Sequence, residues 1–377
     1  MKASLLSENL QKKIIFANHA ISARSQLPIL LNFLIEAKDG KISISATDLE
    51  IGIVTQIPAN VEKEGATTVT AKTLTELMGI IPHGKITLGF EEERGLVLRG
   101  DKTKTVFQTT TPEEFPKLYE EKGQKILTLG KEDIEKTLPK VVFAASPDLE
   151  RPALSGVLIK EDENGFLLVA TDGYRLSLER HALKKLKKEE GKEKISILVP
   201  SRVIRELVQM VKEEGETGVE VYVSKEKNQI IFSQNETTLV GRLIEAEFPN
   251  YEKIIPTDFS TKTIFDRQDL QQAIKAGYVF ARQTAGIIKL SIKKDKISVS
   301  ANAPSVGENT IEVEAKTTGE ENEIAFNARY LLDFLSNITS EVISFEMTGP
   351  LNPGVFKEEG NNSFIHLIMP IRVQQEG

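Results

Sequence analysis

One helix pattern occurs three times along the 377 residues. Leu10, Ile14, Ala17 and Ile21 stand at offsets 0, 4, 7 and 11. Ile134, Leu138, Val141 and Ala145 repeat those offsets, and so do Leu270, Ile274, Gly277 and Ala281. Each set makes one apolar stripe at the 3.6-residue helical period. Acidic or capping residues open each copy: Ser7 and Glu8, Glu132 and Asp133, Asp266 and Asp269. They suit the positive end of a helix. A second pattern, at offsets 0, 3, 4 and 7, follows in each copy. It comprises Leu74, Leu77, Met78 and Ile81, then Ile204, Leu207, Val208 and Val211, then Leu331, Phe334, Leu335 and Ile338.

Strand-like runs lie between and after these helices. Ile42–Ala46, Leu167–Ala170 and Ile297–Ala301 hold matching places, as do Ile86–Leu88, Val219–Val223 and Val342–Phe345. A period of two is expected in them, with turns such as Asp39-Gly40 and Asn164-Gly165 between. Two copies end at Phe115-Pro116 and Phe248-Pro249, the third at Ile368-Met369-Pro370. The expected fold is α+β: three repeats of about 125 residues, each with two helices packed on antiparallel sheets. Domains are expected at 1–120, 128–250 and 252–377, with linkers near 117–127 and 250–262.

Several kinds of chemistry are missing. With no cysteine there is no disulfide, thiolate metal site or Cys nucleophile. The four histidines, His19, His83, His181 and His366, are too far apart in sequence for a His-paired zinc helix. No phosphate-cradling loop, dinucleotide fingerprint or nucleophile elbow occurs. No cofactor, metal site or catalytic residue is expected. Asp48 and Asp172, at equivalent strand ends, are residues that a paired-carboxylate hydrolase could use; a turn role is the expectation, because the third copy has Asn302 in that region. The opening Met1–Asn9 holds no long apolar run, so a cytoplasmic protein is expected. Lys184–Glu190, basic then acidic, reads as a solvated loop.

The net charge is −7, from 48 basic and 55 acidic residues, which taken alone disfavours a nucleic-acid binder. The helix faces read differently. Two residues before the second stripe stand Lys72, Arg202 and Arg329; two residues into the first stand Lys12, Lys136 and Gln272. These positions point about 160–200° from the stripes, and five of the six are basic. Lys13, Arg24, Lys140, Arg205, Lys275 and Arg282 lie nearby. If the helices share one side, a local cationic surface could hold phosphates without reading bases. There is no Trp and no aromatic interleaving on these faces, which favours duplex backbone over stacked single strands.

At this point the chain resembles the bacterial sliding clamp family, the beta subunit of DNA polymerase III. The likeness is carried by Arg24 with Leu27-Pro28-Ile29-Leu30, Ala46-Thr47-Asp48-Leu49-Glu50, Gly65-Ala66-Thr67-Thr68-Val69 and Ala170-Thr171-Asp172-Gly173-Tyr174-Arg175-Leu176. Phe248-Pro249-Asn250-Tyr251, Phe326-Asn327 with Tyr330, and Met369-Pro370-Ile371-Arg372 complete it. The resemblance implies a head-to-tail homodimer closed as a ring around duplex DNA, with helices lining the hole, tethering a polymerase and catalysing nothing. It implies no membrane and no cofactor. Partners would be duplex DNA of any sequence, and polymerase and clamp-loader subunits held through short peptides.

The family's peptide pocket, transferred by motif, would comprise Leu154, Thr171, Gly173, Tyr174, Arg175, Leu176, Pro249, Lys253, Ile254, Asn327, Tyr330, Met369, Pro370, Ile371 and Arg372. Without the resemblance, Leu154, Leu176 and Ile254 would be read as core. The implied dimer contact sets Val106 and Phe107 against Val279 and Phe280. Three features depart from the family: Tyr174 where His is frequent, Lys253 where Arg is frequent, and a polar Gln374–Gly377 tail. A hydrolase using Asp48 and Asp172, and a scaffold that binds only protein, are the competing readings.

Overall fold

A computed structural model describes the chain except for residues 23–24, 120, 164, 183–193, 225 and 373–377. The Lys184–Glu190 run, the Gln374–Gly377 tail, Asn164 and Arg24 therefore lie outside the described residues. Among those described, six α-helices accompany strands that pair antiparallel throughout: α1 (Ser7–Ala17), α2 (Ala71–Met78), α3 (Lys131–Val142), α4 (Ser201–Glu214), α5 (Arg267–Ala281) and α6 (Ala328–Asn337). They fall two to each expected repeat.

The apolar stripes orient these helices. In α5, Leu270, Ile274, Gly277 and Ala281 are all buried, and Asp266 caps the start by accepting from the N–H groups of Gln268 (2.8 Å) and Asp269 (3.1 Å). Gly277 has a packing reason: a Cβ there would stand 2.8 Å from Ile288 Cδ1. In α6, Asn327 caps Arg329 N–H at 2.9 Å, and Leu331, Phe334 and Leu335 are fully buried. The stripes overrun some helices. α1 ends at Ala17 and passes into a 3-10 turn at Asn18–Ala20, so Ile21 lies beyond it. Ala145 and Ile81 likewise fall after α3 and α2. The strand Gly165–Thr171 corrects the expected alternation, because all seven residues are buried. A sheet covered on both faces needs apolar side chains on both.

The chain divides by compactness into two units, residues 1–135 with 202–243 and residues 136–201 with 244–377. The first holds two sheets. One orders its strands Asn60–Lys63, Lys2–Leu6, Lys85–Glu91, Gly95–Arg99, Lys104–Phe107. The other has eight strands and joins two repeats where Ile51–Pro58 pairs with Thr237–Arg242. The second unit is built on a twelve-stranded sheet, continuous through the pairing of Arg175–Ala182 with Phe364–Ile368. Three repeats thus become two units because each large sheet crosses a repeat boundary. The third repeat's core is aromatic: Phe326, Phe334, Phe345, Phe356 and Phe364 are buried together. Among the described residues no helix is long and apolar enough to cross a membrane, and no group of three or more His, Asp or Glu could hold a metal ion.

Candidate functional site

In the second unit, the turn Thr171–Arg175 is built from its own side chains. Thr171 Oγ1 donates to the Arg175 carbonyl (2.6 Å) and accepts from Gly173 N–H (3.1 Å). Asp172 Oδ1 accepts from the N–H groups of Tyr174 (2.8 Å) and Arg175 (3.0 Å). Gly173 takes φ +92°, a conformation that glycine adopts without steric cost. The turn fixes two neighbours in opposite senses. Tyr174 is 58 % exposed, whereas Arg175 is 9 % exposed.

Arg175 joins the turn to the third repeat. Its Nε donates to Asp172 Oδ2 (3.0 Å) and its Nη1 to Asp333 Oδ2 on α6 (2.6 Å). The guanidinium carbon lies 4.7 Å from the Tyr330 ring centroid and 5.5 Å from that of Phe143. Tyr330 and Tyr174 stand 6.4 Å apart, 19° from parallel. Burial raises the Tyr330 hydroxyl pKa, and the Asp172 charge adds to this. Met369 N–H donates to the Tyr174 carbonyl (2.8 Å), and Ile371 N–H to Ala325 O (2.8 Å), so the last described segment is tied along the same place. The result is an aromatic wall on a rigid cationic support, with exposed apolar groups at Tyr174 and Met369. Such a wall can take apolar anchors of an extended peptide.

Leu154 is half-buried in the 3-10 turn Pro152–Leu154, and Pro370 and Ile371 are half-buried too. Pro249, Lys253 and Arg372 are exposed. Asn327 is the α6 cap. Leu176 differs from the expectation: it is 2 % exposed and packs with Leu167, Val169, Leu178, Tyr251, Val355 and Leu367, so it supports the wall from beneath. Leu154 and Ile254, which residue type alone would assign to core, are not core. Asp333 and Phe143 escaped sequence reading, since no local pattern marks a partner 158 residues away.

Beneath the wall, His366 is fully buried, stacked 4.8 Å from Phe334, with Nδ1 2.7 Å from Ser177 Oγ. Burial, then the Arg175 charge, holds its pKa well below the ordinary histidine value. Above pH of about 6.5 the ring is neutral both folded and unfolded. Below it, the unfolded chain takes up a proton that the folded one refuses, so stability falls. His19 has the opposite sign: its hydrogen bond to Glu206 (2.7 Å) raises its pKa, a contribution present at low pH and lost as pH rises through the folded pKa. Between pH 7.5 and 5.5, wild type should lose about 1.4 kcal/mol more than His366→Phe in denaturant unfolding. Equal losses would mean that His366 takes no proton on unfolding.

The cationic helix faces are distributed over both units. Lys12 and Lys72 are exposed on α1 and α2, Lys136 on α3, Arg205 on α4, Lys275 and Gln272 on α5, Arg282 at its end, and Arg329 on α6. Arg329 Nε donates to the Tyr278 hydroxyl at 2.9 Å. Three other positions are held by carboxylates. Lys13 is paired with Glu214 and donates to Thr237 Oγ1 (3.1 Å). Lys140 pairs with Glu358 at 2.7 Å with little exposure. Arg202 donates to Asp48 and to the His19 carbonyl (2.7 Å). Arg202 is one of the six outward positions, and Lys13 and Lys140 lie near them; each meets a group more than 150 residues distant in sequence that satisfies its charge or its donors. Of the implied dimer residues, Val106 and Val279 are exposed, Phe107 is buried in its own sheet and Phe280 packs against the third-repeat core. Val106 stands on Lys104–Phe107, the edge strand of the five-stranded sheet.

The paired-carboxylate alternative has no geometric support. Asp48 repeats the Asp172 arrangement: its Oδ1 accepts from the N–H groups of Glu50 (3.1 Å) and Ile51 (3.0 Å), and its Oδ2 meets an arginine, here Arg202. Both carboxylates are consumed in holding turns.

Comparison with known proteins agrees with this architecture. Residues 1–119, 128–250 and 252–372 match, in order, the N-terminal, central and C-terminal domains of the DNA polymerase III beta subunit. The chain is similar to a protein named beta sliding clamp from Synechococcus elongatus, 28 % identical over 99 % of this chain and 100 % of the relative. Another of that name, from Staphylococcus aureus, is 26 % identical over 94 % of each. Among solved structures, the DNA polymerase III beta subunit from Thermotoga maritima superposes with a TM-score of 0.90 at 28 % identity, covering 99 % of both chains. The beta subunit from the DNA polymerase of Streptococcus pyogenes gives 0.92 at 26 %, covering 99 % of this chain and 100 % of that one. Three consecutive domain matches, in the order set by the internal repeat, place the chain in the DNA polymerase III beta subunit family.

Proposed function

We propose that the chain is a DNA sliding clamp: a processivity factor that closes as a homodimeric ring around duplex DNA and tethers the replicative polymerase. The observation that carries this reading is the match of all three repeats, in order, to the domains of one family. The exposed cations Lys12, Lys72, Lys136, Arg205, Lys275, Arg282 and Arg329 suit phosphate contact without base reading. Lys13, Lys140 and Arg202 are already held by carboxylates, so their share in phosphate contact would be smaller. In this reading Val106 on its edge strand and Val279 on α5 meet across the dimer contact, an interface of unlike surfaces that closes after two copies. The Tyr174, Tyr330, Arg175 and Met369 wall would hold short peptides of polymerase and clamp-loader subunits, with Lys253 and Arg372 at its rim. The clamp would work in the cytoplasm and catalyse no reaction; its contribution is the raised effective concentration of the tethered polymerase.

Topology separates this reading from an ordinary DNA-binding protein and from a protein-only scaffold. The free protein should elute at twice 41.9 kDa, and once loaded on nicked circular duplex it should co-elute with the DNA through gel filtration at moderate salt. It should leave when one restriction cut linearises the circle. Retention that survives the cut, or a strict monomer, would refute the ring.

A further inference from the structure

The internal repeat places the same local construction at a second point, with different chemistry. In the first unit, Thr47–Ile51 copies the turn Thr171–Arg175 bond for bond. Thr47 Oγ1 donates to Ile51 O (2.8 Å) and accepts from Leu49 N–H (2.9 Å), and Leu49 takes φ +79° where the later turn has Gly173. Arg242 N–H donates to Glu50 O at 2.9 Å, as Met369 N–H donates to Tyr174 O. In each case the strand leaving the turn pairs with a strand of the next repeat. Phe115-Pro116-Lys117-Leu118 runs past the first turn as Phe248-Pro249-Asn250-Tyr251 belongs with the second. Leu118 is seated over Gly52, where a Cβ would stand 2.9 Å from its Cδ2, and its carbonyl accepts from Gln229 Nε2 at 3.1 Å.

This construction leaves a cleft of about 180 Å³ among these segments. Apart from Leu49, the exposed groups around it are charged. Where the aromatic wall has Tyr174 and Met369, this cleft has Glu50 and Arg242, joined by Lys117 and Lys227. Three basic residues from three separate segments line the cleft together with one carboxylate, in a chain whose net charge is −7. A liquid-water molecule occupies roughly 30 Å³, so the cleft is several times larger than one bound water or small ion needs. It sits at the end of the pairing between Ile51–Pro58 and Thr237–Arg242.

We propose that this cleft is a second peptide site, quasi-equivalent to the aromatic wall, which takes an extended acidic segment of a partner protein. Its chemistry separates it from the wall: carboxylate side chains meet Arg242, Lys117 and Lys227, with no aromatic anchor. The proposal rests on the repeat geometry and the local charge, and it does not require the wall itself to bind peptide.

The test uses the full chain and a capped dodecapeptide of alternating glutamate and threonine, with glutamine replacing glutamate in the control. Titration calorimetry at low salt should show the glutamate peptide binding at least about tenfold more tightly than the glutamine one. The double variant Lys117→Ala, Arg242→Ala should lose about tenfold or more of that affinity, with an unchanged circular dichroism spectrum. The double variant Lys85→Ala, Lys102→Ala removes two exposed cations away from the cleft and should bind as wild type does. Equal binding of the two peptides, full affinity in the Lys117/Arg242 variant, or an equal loss in the Lys85/Lys102 variant would each overturn the proposal.

Discussion

Arg175→Ala is expected to destabilise the second unit by about 3–5 kcal/mol, because it removes one partner from a buried ion pair. The guanidinium is 9 % exposed and spans Asp172 and Asp333, so its loss leaves the Asp172 carboxylate, itself largely buried, facing the interior without a counter-charge. Tyr330 and Phe143 lose the planar cation between them as well. Lysine should not rescue the site, since an ammonium cannot reproduce a planar fork that donates to two carboxylates. Asp333→Ala should cost about 1 kcal/mol or less, because its side chain is half exposed and water can replace the lost partner. Denaturant unfolding of the three variants gives the comparison. An Arg175→Ala loss no larger than that of Asp333→Ala would show that the turn does not depend on this charge. The same variant should also weaken binding of an apolar peptide, as the Tyr174–Tyr330 stack loses its support.

Alanine at Lys12, Lys72, Lys136 and Arg329 together is expected to weaken duplex binding severely while leaving the dimer mass unchanged. All four side chains are exposed, and all stand opposite the apolar stripe of their helix. A cation that touches phosphate releases a counterion, so each contact removed should lower the salt slope of log affinity by about one. The quadruple variant should therefore bind less at low salt and respond less to added salt. Arg202 makes a poor member of this set, because it already holds Asp48 and the His19 carbonyl and its loss would perturb the fold. A salt slope equal to wild type would place the phosphate contacts elsewhere.

Much of the fold was legible because local spacing carries it. The α5 stripe is buried residue for residue, as are Leu331, Phe334 and Leu335 on α6, and the exposed cations follow from the opposite phase of the same period. Helix ends were less legible: Ile21, Ile81 and Ala145 continue their stripes in sequence but lie past the final helical turn. The Asp48 and Asp172 turns were readable from Thr-Asp at a strand end, and the structure shows the hydrogen bonds that explain it.

The sequence by itself determined the threefold repeat, the two helices in each copy, the apolar faces and the outward cations, since these depend on residues within one or two turns of one another. Tertiary structure alone decided which charges are satisfied. Lys13 with Glu214, Lys140 with Glu358 and Arg175 with Asp333 join residues 201, 218 and 158 positions apart. It also decided that the large sheets run across repeat boundaries, making two units of three repeats. Pairing between distant strands is set by which edges and apolar faces meet once the chain is compact, and no short-range pattern encodes that meeting.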